Sequence, residues 1–226
     1  VLAFDISGSM REEGLGARTK MDAARAALKD FISGRENDRV GMVVFKSDSR
    51  VMAPLTLDYR ALSLMLDDVE KQNEGLSEGT AIGLGVADAL NLLRNSPTKT
   101  RVVILATDGQ NNQTKVTPDQ AAAVAETLKI RVYTIGLVTA NARPEATLDE
   151  REMRRLSERT GGSYARATNQ ENLHEIYNNI ASLEKSRFER ERLTRYDELA
   201  GFALIPGIGL VLLGVVLTST WLRRAP

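Results

Sequence analysis

The sequence contains no cysteine. Disulfides, thiolate zinc sites and cysteine nucleophiles are therefore excluded. The redox compartment stays open, because a cysteine-free domain folds in either environment. Histidine occurs once, as His174, and tryptophan once, as Trp221. His174 lies in an amphipathic stretch between Leu173 and Ile176, far along the chain from any candidate nucleophile, and is expected to be a surface or half-buried residue. No charge sign is in excess: thirty basic residues cancel thirty acidic ones. A neutral chain gives no reason to expect nucleic acid as a partner. There is no Walker A loop, since Gly79, Gly83 and Gly85 do not form G-x-x-x-x-G-K-[ST], and no G-x-S-x-G nucleophile elbow. Long repeats and low-complexity tracts are also missing.

What is present is ordinary globular material, 226 residues with 42% hydrophobic side chains, enough for one sizeable domain and an appendage. Strand-like apolar runs alternate with helical patterns. Val1–Asp5, Arg39–Phe45, Arg50–Leu55, Arg101–Thr107, Arg131–Val138 and Ser163–Ala167 read as strands. Helical stripes comprise Met21, Ala24, Leu28, Phe31 and Ile32; Tyr59–Val69; Ile82, Val86, Ala89, Leu90 and Leu93; and Ala121, Val124, Ala125 and Leu128. A short helix is expected around Met153 and Leu156, and a last domain helix at Leu173, Ile176, Tyr177, Ile180 and Leu183. Runs such as RVVILAT, apolar throughout, belong to strands buried on both faces. The alternation predicts an α/β fold: a doubly wound, mostly parallel sheet with helices on both faces. The short connection near residues 46–50 predicts one antiparallel edge strand.

The folded domain is expected to span residues 1–183. Residues 184–198 (EKSRFERERLTRYDE) are mostly charged and read as a solvated helical stalk. Residues 199–222 carry no charge; as a helix they would cover roughly 36 Å, enough to cross a hydrocarbon core of about 30 Å. A transmembrane helix is therefore expected there, followed by a short basic tail, 223–226, with Trp221 and Arg223-Arg224 as interfacial anchors. Pro206 and the glycines are compatible with a lipid-embedded helix. The opening Val1-Leu2-Ala3-Phe4 looks like a strand already under way, as expected of a chain whose N-terminal part is missing.

The chemistry lies at the strand ends. Asp5-Ile6-Ser7-Gly8-Ser9 sets one carboxylate and two hydroxyls at spacings of two, where the first strand ends. Asp108 follows the RVVILAT strand, and Thr80 precedes a helix in Glu78-Gly79-Thr80. A parallel sheet delivers Asp5 and Asp108 to one carboxyl edge, where open α/β folds bind ligands. Two carboxylates and three hydroxyls form a hard oxygen set, suited to Mg²⁺, with Mn²⁺ or Ca²⁺ as alternatives. Some of the five would act through water. Singly, Asp-x-Ser-x-Ser is also a capped turn and Thr-Asp-Gly a common strand exit; it is their combination in order that points to a metal.

Phe4–Met10 (FDISGSM), Gly79–Gly83 (GTAIG) and Ala106–Gly109 (ATDG) resemble the three segments of the metal-ion-dependent adhesion site (MIDAS) of von Willebrand factor A (vWA) domains, which have a Rossmann-like fold. The resemblance covers residues 1–183. RVYTIG at 131–136, TGGSY at 160–164, ARATN at 165–169 and IYNNIASLEK at 176–185 look closer still to bacterial Bat-type (BatA-like) aerotolerance membrane proteins. The resemblance implies an ion held by Asp5, Ser7, Ser9, Thr80 and Asp108, its shell completed by a partner protein's Asp or Glu. It further implies sibling vWA membrane proteins and a MoxR-type AAA+ ATPase as partners, and a role in envelope complex assembly or stress tolerance. The segment 138–147 has no family signature and reads as a surface loop.

An enzyme is the main rival. Mg²⁺-dependent phosphoryl transfer would want a second acid–base carboxylate near Asp5, where the chain has Ser7 and Ser9, so a non-catalytic module is expected. A structural membrane protein with a vestigial metal site is the other alternative. Localisation at the inner membrane is expected, with the domain on the periplasmic side: Lys185, Arg187, Arg190, Arg192 and Arg195 before the span favour the cytoplasm, but the Bat-like resemblance, which implies the periplasm, weighs slightly more than a count diluted along a stalk. Asp108→Ala is expected to abolish partner capture and leave the fold largely intact, because clustered carboxylates repel one another without their cation.

Overall fold

The computed structural model describes residues 1–69, 71, 77–98, 100–113, 115–139 and 149–220, with the side chains at 186–203, 205, 218 and 220 left aside. Strands β1 (Leu2–Asp5), β2 (Val40–Phe45), β3 (Ser49–Thr56), β4 (Val102–Thr107), β5 (Arg131–Leu137) and β6 (Tyr164–Ala167) form one sheet in the order β3-β2-β1-β4-β5-β6. All neighbouring pairs are parallel except β2 and β3. The expected doubly wound sheet with one antiparallel edge strand is what the chain forms.

Burial explains the composition of each strand. β1 and β2 are buried at every position, as their unbroken apolar runs require. Edge strand β3 is at least partly exposed at every position but Ala53 and carries Pro54, which an edge tolerates because it needs no ladder N–H there. Its register against β2 shifts near Met42, a bulge of the kind that bends sheet edges.

Helices α1 (Lys20–Ser33), α2 (Tyr59–Asp67), α3 (Ile82–Leu93), α4 (Pro118–Leu128), α5 (Glu150–Arg159) and α6 (Gln170–Thr220) complete the chain. Their starts are legible in side-chain chemistry. Thr19 caps α1 by accepting from the Asp22 N–H, and Thr117 and Gln120 close a reciprocal capping box ahead of Pro118. One layer of the core packs Val43, Phe45, Val103 and Leu105 of the sheet against Val86 and Leu90 of α3 and Ala121 and Ala125 of α4. On α1 and α6, the Phe31 and Tyr177 rings meet at 5.3 Å between centroids. Two expected core positions are misplaced: Val124 is 50% exposed and Leu183 is 46% exposed. Ala122 takes the buried place on α4 that Val124 was expected to fill.

Val1–Ile180 forms one compact unit and Ala181–Pro226 a second. Among the described residues no helix is long and apolar enough to cross a membrane. The expected span 199–222 falls partly outside them: residues 221 and 222 and several of its side chains are not described, and nor is the tail 223–226. The expected loop 138–147 also lies mostly outside the described residues, although Val138 itself is buried.

Candidate metal centre

Adjacent parallel strands β1 and β4 end side by side, with Phe4 opposite Ala106. The sheet winds outward from them in opposite directions, which opens a crevice at their carboxyl ends. Asp5 closes β1, and Asp108 follows β4 directly. Both are buried, at 0% and 2% exposure. Beyond Asp5 the chain turns at once. The Ser7 N–H donates to Asp5 Oδ1 at 2.8 Å, and residues Gly8–Arg11 make a short 3-10 helix anchored by fully buried Met10. Thr107 Oγ1 donates to Asp5 Oδ2, and its oxygen in turn accepts the Gly109 N–H at 3.1 Å.

The hydroxyls run in a chain. Ser9 Oγ donates to Asp108 Oδ1 at 2.7 Å, and Ser7 Oγ lies 3.1 Å from Ser9 Oγ. A hydroxyl has one proton and two acceptor sites. The Ser9 proton goes to Asp108, and the Ser7 hydroxyl lies within reach of both Ser9 and the Asp5 carboxyl, so each hydroxyl oxygen keeps lone pairs that a cation can use. Thr80 is 5% exposed. Its N–H donates to Asn112 Oδ1 at 2.8 Å and its carbonyl accepts the Asn112 N–H at 3.0 Å. Thr80 Oγ1 lies against Gly109, 3.2 Å from where a Cβ would project. Gly79 supports this turn with φ +142°, and a side chain there would also strike Gln113. Four of the five residues singled out from the sequence, Asp5, Ser7, Ser9 and Asp108, are thus linked by direct hydrogen bonds, and the fifth, Thr80, borders Gly109, the residue after Asp108.

Electrostatically the cluster is incomplete as a set of side chains. Burial, and then the neighbouring Asp108 charge, push the Asp5 carboxyl up to about 7, against the hydrogen bonds from Thr107 and Ser7. Two buried carboxylates side by side call for positive charge. Among the described residues no group of three or more His, Cys, Asp or Glu side chains is placed to hold a metal. The donors here are instead two carboxylates and neutral hydroxyls, a set that fits a hard divalent ion retaining some of its waters.

Two lysines escaped the sequence reading. Lys20 is 8% exposed, and its Nζ donates to Asp108 Oδ2 at 2.7 Å, to Glu12 Oε2 at 3.2 Å and to the Ser9 carbonyl at 3.5 Å. Burial alone would lower its pKa; Asp108 and then Glu12 outweigh burial and hold it above the ordinary lysine value. Lys46 is 4% exposed and donates to Glu78 Oε1 at 2.6 Å. The Lys46 bond, with lesser help from the Gly8 N–H, keeps the Glu78 carboxyl below its usual range. One available signal was Lys20 at the first position of a helix, where the backbone dipole disfavours a cation. His174 is half-buried and pairs with Asp30 at 3.5 Å.

The sequence and the fold have counterparts among known proteins. The chain is 33% identical over 137 residues to an uncharacterised protein of Borreliella burgdorferi, an alignment covering 61% of this chain and 40% of that one; the chain thus spans less than half of that relative. The fold is similar to BatB from Bacteroides thetaiotaomicron, with a TM-score of 0.65, 23% identity, and coverage of 80% of this chain and 97% of the other. An aerotolerance-related membrane protein of Bacteroides fragilis gives a TM-score of 0.63 at 24% identity, with the same two coverages. Proximal thread matrix protein 1 of the mussel byssus, whose MIDAS motif is occupied by zinc in its structure, gives a TM-score of 0.60 at 18% identity, covering 80% of this chain and 44% of that one. The model of the von Willebrand factor type A domain matches residues 1–179, and the chain belongs to that family.

Proposed function

We propose that this chain binds a partner protein through a Mg²⁺ ion held by Asp5, Ser7, Ser9, Thr80 and Asp108, with an Asp or Glu of the partner completing the shell. The observation that carries this reading is the hydrogen-bonded series Ser7–Ser9–Asp108, with Asp5 bonded back to the Ser7 N–H. It gathers hard oxygen donors at the carboxyl edge, with hydroxyl lone pairs that an ion can use. An ion surrounded mainly by neutral hydroxyls stays electrophilic, and an incoming carboxylate supplies the charge it lacks. The role is adhesive and not catalytic: beside Asp5 stand Ser7 and Ser9, with no second carboxylate in the turn and no histidine near them in sequence. Mn²⁺ or Ca²⁺ would satisfy the same oxygen donors, and the zinc-occupied MIDAS of the mussel protein supports divalent binding on this fold.

The chain is read as membrane-anchored through 199–222. Support comes from the lack of charge in that segment and from apolar side chains of α6 that face solvent, including Leu204 at 60% and Leu210 at 70% exposure. The likeness to a fold neighbour named as an aerotolerance-related membrane protein supports a role in stress tolerance at the envelope; sibling vWA proteins and a MoxR-type ATPase as partners follow from the sequence resemblance alone. The test is a pull-down from detergent-solubilised membranes with the full chain as bait. Capture in magnesium, lost with chelator and lost in Asp108→Asn, is expected. Equal capture under chelator sinks the metal bridge.

A further inference from the structure

Lys20 is placed where local structure gives no reason for a cation. It is the first residue of α1, at the positive end of the helix dipole, next to a Thr19 cap that already satisfies the Asp22 N–H. Local rules broken in this way mark residues held for another purpose. The preceding loop is shaped around its side chain. Glu12 accepts the Lys20 N–H through its carbonyl at 3.0 Å and the ammonium through its carboxylate. Gly14 leaves room for the lysine stem, since a Cβ there would lie 2.9 Å from Lys20 Cγ. Leu15 adopts φ +58° to turn the loop inward and is itself buried. The ammonium is delivered to the one oxygen of Asp108 that Ser9 does not use.

We propose that Lys20 is a built-in counter-cation of the metal centre, standing in for part of the ion's charge when the ion is absent and opposing the ion when it arrives. The inference rests on the metal reading of the site given above. With both carboxylates ionised, the one ammonium leaves the cluster a single negative charge, which a divalent ion turns into a single positive one. Glu12 is 70% exposed at its side chain, so solvent screens its share. Lys46 is already matched by Glu78. Lys20 thereby lets the domain stay folded without metal, weakens its hold on the ion, and leaves the loaded site short of one negative charge, the charge a partner carboxylate brings.

The test is calorimetric titration of MgCl₂ into the full chain in detergent, for the parent and Lys20→Met, with melting temperatures in chelator and in magnesium. Removing a positive charge this close to a divalent ion should tighten Mg²⁺ binding about tenfold or more. It should also lower the melting temperature in chelator and enlarge the rise that magnesium produces. Equal or weaker Mg²⁺ binding by Lys20→Met, or the same loss of stability with and without magnesium, overturns the proposal and leaves Lys20 a structural ion-pair partner. If Lys20→Met folds under neither condition, Lys20→Gln, which keeps a donor for Asp108 without the charge, decides by the same comparison. A parent that binds no Mg²⁺ overturns the metal reading itself, and the Lys20 role with it.

Discussion

Ser9 Oγ donates to Asp108 Oδ1 at 2.7 Å across a separation of 99 residues. This bond joins the turn after β1 to the end of β4 and commits the Ser9 proton. It therefore decides which hydroxyl lone pairs face a cation. Asp108 is consequently both a proposed metal ligand and the acceptor for two other groups, Ser9 and Lys20.

That double duty changes what Asp108→Ala should do. Repulsion between carboxylates would make the substitution nearly neutral, but it also takes from the buried Lys20 ammonium its buried partner, leaving only the exposed Glu12 carboxylate at 3.2 Å. Breaking a buried ion pair from one side costs about 3–5 kcal/mol, because the remaining charge is uncompensated. Asp108→Ala should be destabilised by about that much in urea unfolding followed by circular dichroism under chelator. Adding Lys20→Met should recover part of the loss, as expected of coupled neighbours. A single mutant within about 0.5 kcal/mol of the parent, the range of neutral surface changes, contradicts the coupling.

Asp5 sets a pH dependence in the metal-free protein. Its folded pKa, about 7, lies above the ordinary value of 3.8. A raised pKa means that the folded state binds the proton more tightly than the unfolded state does. The associated stability is full below about pH 4 and is lost as pH rises through about 7. Melting temperature in chelator should fall across that window, and Asp5→Asn should flatten the decline. Magnesium should oppose it, since the ion favours the ionised carboxylate. A parent profile as flat as that of Asp5→Asn counts against the assignment.

Asn112 holds Thr80 by two reciprocal hydrogen bonds, at 2.8 and 3.0 Å. Asn112→Ala removes the side-chain half. Groups that orient metal ligands are typically worth about 10- to 100-fold in affinity, and Mg²⁺ binding should weaken by that order while the fold persists. Unchanged binding, read calorimetrically, would mean that Thr80 does not need this support or does not ligate.

The sheet and its carboxyl-edge acids were legible because they follow from short-range pattern. Apolar runs such as Val102–Thr107 can only be buried on both faces, and an acid at the end of each of two parallel strands must reach the same edge. The helix stripes were legible to within one face, and the error at Val124 is of that kind: on a helix rich in alanine several faces look apolar, and packing against α3 and α5 selects among them. The partners of Lys20 and Lys46 were not legible, although the place of Lys20 at a helix start marked it as unusual. A lysine in a polar stretch has a solvated surface as its default reading, and only the fold shows that Asp108 lies above Lys20, or that Glu78 reaches across to Lys46. Asn112 was missed for the same reason, since its partner Thr80 is 32 residues away.

The claim on which the rest depends is that Ser7, Ser9, Thr80, Asp5 and Asp108 hold one divalent ion. Its most direct test is electron paramagnetic resonance of Mn²⁺ titrated into the full chain, which reads free ion against bound. The expected result is saturation at one ion per chain, displacement by excess Mg²⁺, and loss of the bound fraction when Ser7 and Ser9 are both changed to Ala. Contradiction would be a parent that leaves Mn²⁺ free, or a double mutant that binds it as well as the parent does.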